Sequence, residues 1–398
     1  MSLNDRVGDL LPRLNEAFPA DLLDVLGSFL QKEAGASDVA LLLADYDLKE
    51  LRSLRPGDRA VVGEWVPLVG SDAGRCFATQ ATVAVPTGDD VRIHVPVTLR
   101  AERIGVLSVV LAEPTNADAL RGLEGVATTL AYVMQAATNY TDVFEQARRR
   151  KPLTLEAEMQ WAMQPVQAFA SEQFALAGQL VPAYDVGGDN YDWVINRDTV
   201  CIAAIDAMGH GVNASLLGAL GMTALRNARR AGATLGERAA QADRAIYRQF
   251  GGAQFVTGFS MEIDMASGAA IAVTAGHPPP YLLRSGRVTP LELPAQLPLG
   301  LFEMTHYDEV PVDLQPGDRL MIVSDGVLEA APAGGHDEFG EERLEGVIGA
   351  TASEPPHEAV RHTVEALLDY QQGHLRDDAT ILVFDWRPRS GPAGSEVG

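Results

Sequence analysis

The sequence predicts an α+β chain in which two globular units are joined by helices. Three observations predict it. At 398 residues the chain is too long for one ordinary core and comfortable for two. Short apolar segments punctuated by Gly, Asp and Pro recur in both halves, as strands between turns do. Between the halves, from Ala117 to Arg149, this pattern yields to one long helical periodicity.

Each element of the first half follows from its own pattern. An apolar helix is expected over Leu22–Lys32, followed by a strand over Val39–Leu43. Further strands are expected at Ala81–Val85, Val91–Leu99 and Gly105–Leu111. In the long helix, Leu123, Ala127, Leu130, Met134, Ala137, Thr141 and Phe144 alternate four- and three-residue spacing. That stripe fits either the seam of a homodimer or packing on its own domain. The basic run Arg148-Arg-Arg-Lys151 and Pro152 end the helix. A second short helix is expected over Leu155–Met163, with Glu156 and Glu158 favoured in its first turn by the helix dipole. Leu155, Met159 and Met163 share one of its faces, and Pro165 stops it. Lys151-Pro152 is the candidate hinge of this helical connection.

Composition narrows the function. The chain is 46% hydrophobic and 21% charged, a globular balance. It contains no apolar run near the roughly 18 to 20 residues that span a bilayer. Its opening Met-Ser-Leu-Asn-Asp-Arg lacks the basic and apolar segments of a secretory signal, so a cytoplasmic address is expected. The formal charge of −23 argues against nucleic acid and anionic membrane as partners, because phosphates would be repelled. Cys76 and Cys201 stand far apart and outside any Cys-x-x-Cys pattern, which disfavours structural zinc and disulfides. Cys201, inside Val200-Cys-Ile-Ala-Ala-Ile205, reads as a buried structural thiol.

The second half repeats one grammar four times: a carboxylate at the end of an apolar strand. Phe174–Tyr184 runs into Asp185-Val-Gly-Gly-Asp189. Val200–Ile205 ends at Asp206, followed by Ala207-Met-Gly-His-Gly211. Arg319-Leu-Met-Ile-Val323 ends in Ser324-Asp325-Gly326, and Asp377-Asp378 precedes Ala-Thr-Ile-Leu-Val-Phe384. One Asp-Gly after a strand is usually a turn. Four acidic strand ends in one domain repel each other unless cations neutralise them. Hard divalent ions with oxygen ligands, Mg²⁺ or Mn²⁺, suit such a set. Neighbouring glycines let the backbone turn sharply and let a carbonyl approach the metal. Asp185 and Asp192 read as loop-capping residues, and His210 and His277 as residues that fix turns.

Five segments, Val186-Gly-Gly-Asp-Asn-Tyr-Asp192, Asp206-Ala-Met-Gly-His-Gly211, Ala275-Gly-His-Pro-Pro-Pro280, Gly317-Asp-Arg-Leu…Ser324-Asp-Gly-Val327 and Asp377-Asp-Ala-Thr380, resemble in order the signatures of SpoIIE-type phosphatases. These are bacterial members of the PPM (protein phosphatase 2C-like) serine/threonine phosphatases. The segment Leu155-Glu-Ala-Glu-Met-Gln…Gln164-Pro165 is similar to the helix preceding that domain. The resemblance implies a β-sandwich flanked by α-helices and holding two Mn²⁺ or Mg²⁺ ions. It implies Asp189 and Asp206 as bridging or terminal ligands, the Ala207 carbonyl as a ligand, and Asp325 and Asp377 completing the site. Asp378 is an adjacent or alternative ligand. Asn190 departs from the usual aromatic, and Ala207 stands where a small aliphatic residue or Gly is common.

The implied activity is hydrolysis of phosphoserine or phosphothreonine on a regulatory protein, by resemblance a STAS-type anti-sigma-factor antagonist. A catalytically silent binding module and a small-molecule phosphoesterase are the other readings. The first half resembles a GAF sensor domain through Val39–Leu43, Gly70-Ser-Asp-Ala-Gly-Arg-Cys-Phe77 and Val95-Pro-Val…Gly105-Val-Leu-Ser-Val-Val110. That family usually binds a small ligand. Cys76 is followed by Phe77 and not by histidine, so a covalent chromophore is not expected. The expected division is 15–140 sensor, 141–166 helical linker, 167–386 phosphatase domain and 387–398 disordered tail.

Overall fold

The computed structural model describes residues 3–58, 63–112, 116–182, 184, 187–332, 335–373, 375 and 377–387. The expected tail beyond 387 and Asp185 lie outside the described residues. The chain divides into two compact units, Met1–Pro152 and Leu153–Gly398.

The first unit is built on one antiparallel sheet. Its strands are β1 (Asp38–Ala44), β2 (Glu50–Leu54), β3 (Trp65–Pro67), β4 (Val83–Thr87), β5 (Asp90–Leu99) and β6 (Glu102–Ala112), in the order β3-β2-β1-β6-β5-β4. Alternation decides which side each residue faces. Leu41, Leu43, Ile93, Val95, Leu107 and Val109 enter the larger core. There they meet the helices α1 (Leu3–Arg6), α2 (Leu10–Glu16), α3 (Leu22–Ala34) and α5 (Ala117–Ala137). Ala40, Leu42 and Val106 face the other way, onto Cys76 and Phe77 of α4 (Asp72–Thr79). Burial pushes the Cys76 thiol up to about 12.

One expectation about the helices is corrected, and one alternative is favoured. The helix expected over Ala117–Arg149 is two, α5 and α6 (Val143–Arg148). The Thr138 hydroxyl donates to the Gln135 carbonyl at 2.8 Å and the Asn139 amide to the Ala136 carbonyl at 3.1 Å. These polar side chains compete for the backbone and end the helix. The stripe weighed as a dimer seam is spent inside its own unit. Leu123, Ala127, Leu130 and Ala137 are fully buried, and Met134 and Phe144 nearly so.

The second unit is a four-layer sandwich. One sheet holds β9 (Asn190–Ile195), β10 (Thr199–Ala207), β11 (Val256–Asp264), β12 (Ala269–Ala275) and β15 (Val310–Asp313), in the order β15-β12-β11-β10-β9. The other holds β7 (Ala168–Ala170), β8 (Phe174–Val181), β13 (Tyr281–Arg284), β14 (Arg287–Pro290), β16 (Arg319–Val323) and β17 (Ala379–Trp386), in the order β14-β13-β16-β17-β8-β7. Val200, Ile202 and Ala204 point into the core between the sheets, against Leu176, Leu320, Ile322, Leu382 and Phe384. Ile205 and Ala207 sit instead in a second core with α8 (Val212–Arg230) and α9 (Leu235–Phe250). The short helix α10 (Asp325–Leu328) follows β16, and α12 (Pro356–Tyr370), preceded by α11 (Gly340–Ala350), packs on β8 and β17. Among the described residues no helix is long and apolar enough to cross a membrane.

The second unit opens with α7 (Leu155–Trp161), capped by the Thr154 hydroxyl. Its buried face carries Ala157 and Gln160, whereas Leu155 is exposed. Of the face expected from Leu155, Met159 and Met163, Leu155 is exposed, whereas Met163 packs partly buried against the core beside α8 and α9. The short helix docks against α8, and Ala157 enters the core between the two sheets.

Candidate metal centre

Strand register brings the aspartates to one end of the sandwich. Ile205 of β10 pairs with Asn190 of β9, which sets Asp206 beside Asp189. In the other sheet Val323 pairs with Ile381, so Asp325 and the Asp377-Asp378 pair flank the same edge. Asp189 is buried, Asp206 half-buried, Asp378 nearly buried and Asp377 exposed.

Hydrogen bonds stitch the two sheets together here. The Asp189 amide donates to Asp378 Oδ2 at 2.7 Å. The Ser324 hydroxyl donates to Asp189 Oδ2 at 2.5 Å and accepts from the Thr380 amide at 2.9 Å. From α7, Gln160 Nε2 donates to the carbonyls of Gly187 and Asp189 at 2.9 and 2.7 Å. Ser215 of α8 adds a hydroxyl bond to the Gly187 carbonyl at 2.8 Å.

Three glycines make this closeness feasible. A Cβ on Gly188 would stand 2.2 Å from the Ala207 carbonyl oxygen, and one on Gly326 2.0 Å from that of Asp378. A Cβ on Gly187 would stand 2.6 Å from Asp378 Oδ1. Any side chain at these positions would push apart the groups that the strands bring together.

Burial raises the proton affinity of three of these carboxyls. Burial, with Asp325, Asp378 and Asp377 nearby, pushes Asp206 up to about 8. Burial pushes Asp378 up to about 6, although the Asp189 amide pulls the other way. Asp189 is also raised, first by burial, then by Asp378 and Asp206. Like charges at this spacing cannot all ionise without a counter-cation. Among the described residues no group of three or more His, Cys, Asp or Glu side chains is placed so as to hold a metal ion. The fit to a cation therefore rests on donor chemistry: oxygen donors only, starved of positive charge, with a main-chain carbonyl alongside. That set suits Mg²⁺ or Mn²⁺.

The remaining candidates lie outside this cluster or serve the frame. His210 is exposed in the turn between β10 and α8, flanked by Gly209 and Gly211 at φ of +92° and +72°. His277 is buried, its Nδ1 3.3 Å from the Thr257 hydroxyl, and burial lowers it to about 4. Asp192 is no loop cap. It lies in β9 and receives Arg226 at 2.8 Å and Arg229 at 2.7 Å, both from α8. Arg226 also donates to the Met163 carbonyl at 2.6 Å, which fastens the end of α7. Cys201 is buried as expected, with its thiol bonded to Glu262 at 3.1 Å. Gln160, Ser215 and Ser324 were not singled out from the sequence. A buried glutamine on a short helix face and a serine before Asp-Gly are the only traces they leave there.

The second unit is similar in fold to a solved PP2C domain. The family model described as stage II sporulation protein E (SpoIIE) matches residues 196–387, which takes in Asp206, Asp325, Asp377 and Asp378 but begins just after Asp189. Together with the relatives below, this match supports a SpoIIE-type protein phosphatase domain in the second unit. The chain is similar to the phosphoserine phosphatase RsbU of Bacillus subtilis, 24% identical over 240 residues, 60% of this chain and 71% of the relative. It is also similar to the stage II sporulation protein E of Priestia megaterium, 24% identical over 199 residues, 50% of this chain and 33% of that longer relative. Among solved structures, the SiaA PP2C domain of Pseudomonas aeruginosa matches with 25% identity and a TM-score of 0.50, over 58% of this chain and 94% of that domain.

Proposed function

We propose that the chain removes phosphate from phosphoserine or phosphothreonine on a regulatory protein, by resemblance a STAS-type anti-sigma-factor antagonist. The observation that carries this reading is geometric: two sheets deliver aspartates to one edge of the sandwich, where the Asp189 amide and the Asp378 carboxyl already meet at 2.7 Å. Asp189, Asp206, Asp325, Asp377 and the Ala207 carbonyl would hold two Mn²⁺ or Mg²⁺ ions, with Asp378 bracing the Asp189 backbone. When bound, such ions lower the pKa of a coordinated water and neutralise phosphoryl oxygens. The protein's own part is placement. Gly187, Gly188 and Gly326 clear the space, Gln160 and Ser215 fix the Gly187–Asp189 backbone, and Ser324 turns the Asp189 carboxyl. The name of RsbU, a phosphoserine phosphatase, supports the substrate class.

The first unit is proposed as a GAF-like sensor that binds a small ligand and acts through the segment leading into α7. Its support is the single antiparallel sheet with helices on both faces. The test is manganese-dependent hydrolysis of p-nitrophenyl phosphate, then of a phosphoserine protein against nucleotides. Asp206→Asn and Asp325→Asn should each lower turnover by about 100-fold or more, since loss of even an outer partner of a ligand costs 10- to 100-fold. Equal activity in either variant would remove the metal assignment.

A further inference from the structure

We infer that Ser324 sets the metal selectivity of the carboxylate centre, by allowing Asp189 only one oxygen for a cation. The inference rests on the metal reading proposed above and concerns a residue that reading leaves outside the ligand set. Ser324 is fully buried. Its main chain and hydroxyl are both held by β17: its amide donates to the Thr380 carbonyl at 3.1 Å, and its Oγ accepts from the Thr380 amide at 2.9 Å. The Thr380 amide takes up one side of the Oγ, and the hydroxyl donates its single proton to Asp189 Oδ2 at 2.5 Å. A short hydroxyl–carboxylate bond of this kind is strong, and Asp189 is itself buried and cannot swing to water. The carboxyl plane is fixed, Oδ2 is committed to the hydroxyl, and Oδ1 remains.

A carboxylate so held ligates through one oxygen. Mg²⁺ demands near-ideal octahedral geometry with short bonds, whereas Ca²⁺ takes six to eight oxygens and accepts carboxylates through both oxygens. Fixing Asp189 to one oxygen therefore favours the small octahedral ion and denies Ca²⁺ an extra ligand. Ser324 acts through Asp189 and is a positioning residue. Removing its hydroxyl frees Oδ2 and opens the two-oxygen mode.

Isothermal titration calorimetry of the full chain with Mg²⁺, Mn²⁺ and Ca²⁺, each alone, tests this. The unaltered protein should bind Mg²⁺ and Mn²⁺ in preference to Ca²⁺. Ser324→Ala should raise the Ca²⁺-to-Mg²⁺ affinity ratio by about tenfold, the scale on which partners of ligands act. Ser324→Cys keeps the volume but weakens the donor, and should move the ratio the same way even if the alanine variant fails to fold. Ser324→Thr keeps the hydroxyl and should restore the original ratio. A folded Cys variant with an unchanged ratio, or affinities falling equally for all three ions, overturns the inference. A wild-type chain that binds none of these ions instead overturns the metal reading, and the inference with it.

Discussion

Asp206 shows how a single residue turns crowding into chemistry. Its carboxyl is pushed up to about 8 by burial and by Asp325, Asp378 and Asp377, against an ordinary value near 3.9. A raised carboxyl binds its proton more tightly in the fold than in the unfolded chain. Its contribution to stability is therefore present at low pH and is lost as pH rises through about 8. An incoming cation must displace that proton, so apparent Mn²⁺ affinity should climb from pH 6 to 8 and level off above it. Calorimetry at pH 7 in buffers of different ionisation enthalpy should show proton release, and Asp206→Asn should release fewer protons per ion bound than the unaltered chain. A pH-independent affinity would contradict this account. Asp206 was legible in the sequence because an apolar strand ends on it. Gln160 and Ser324 were not, because one polar residue in an apolar frame has many explanations and only the fold shows which carbonyl or carboxyl it meets.

At the scale of elements, packing decides what periodicity leaves open. Heptad-like spacing in α5 is compatible with a partner helix or with the sheet beneath it, and the sheet takes it. Leu130→Ala should therefore destabilise the first unit by about 2–5 kcal/mol, as a buried leucine truncation does. Its solution mass, measured by light scattering, should not change; a shift from dimer to monomer would restore the seam. The Asp192–Arg226–Arg229 cluster joins β9, α8 and the end of α7. Asp192→Ala would leave two arginines half-buried without their anion and should cost about 3 kcal/mol in denaturant unfolding. A loss below 1 kcal/mol would mean that the cluster is ornamental. In the first unit β1, β5 and β6 were legible because their apolar pattern is local, whereas β2 and β3 were not expected from it. The break at Thr138–Asp142 was not, since it depends on side chains turning back onto carbonyls instead of on hydropathy.

For the whole molecule, the division at Pro152 predicts that residues 153–398 fold and hydrolyse p-nitrophenyl phosphate without the first unit. A fragment that is helical and sheet-rich by circular dichroism yet binds no Mn²⁺ would show that the division is structural only. The ordered phosphatase motifs were legible at this scale because each is a short local string. The meeting of the two sheets was not, because it depends on registers such as Val323 with Ile381 and Ile205 with Asn190, each joining residues far apart in the chain. Those registers carry one more consequence. Asp189 and Asp206 ride on one sheet, while Asp325 and Asp378 ride on the other, so no single hairpin owns the centre. Turnover then serves as a proof-reader of assembly: a chain with one sheet frayed at this edge falls silent while most of its secondary structure still stands.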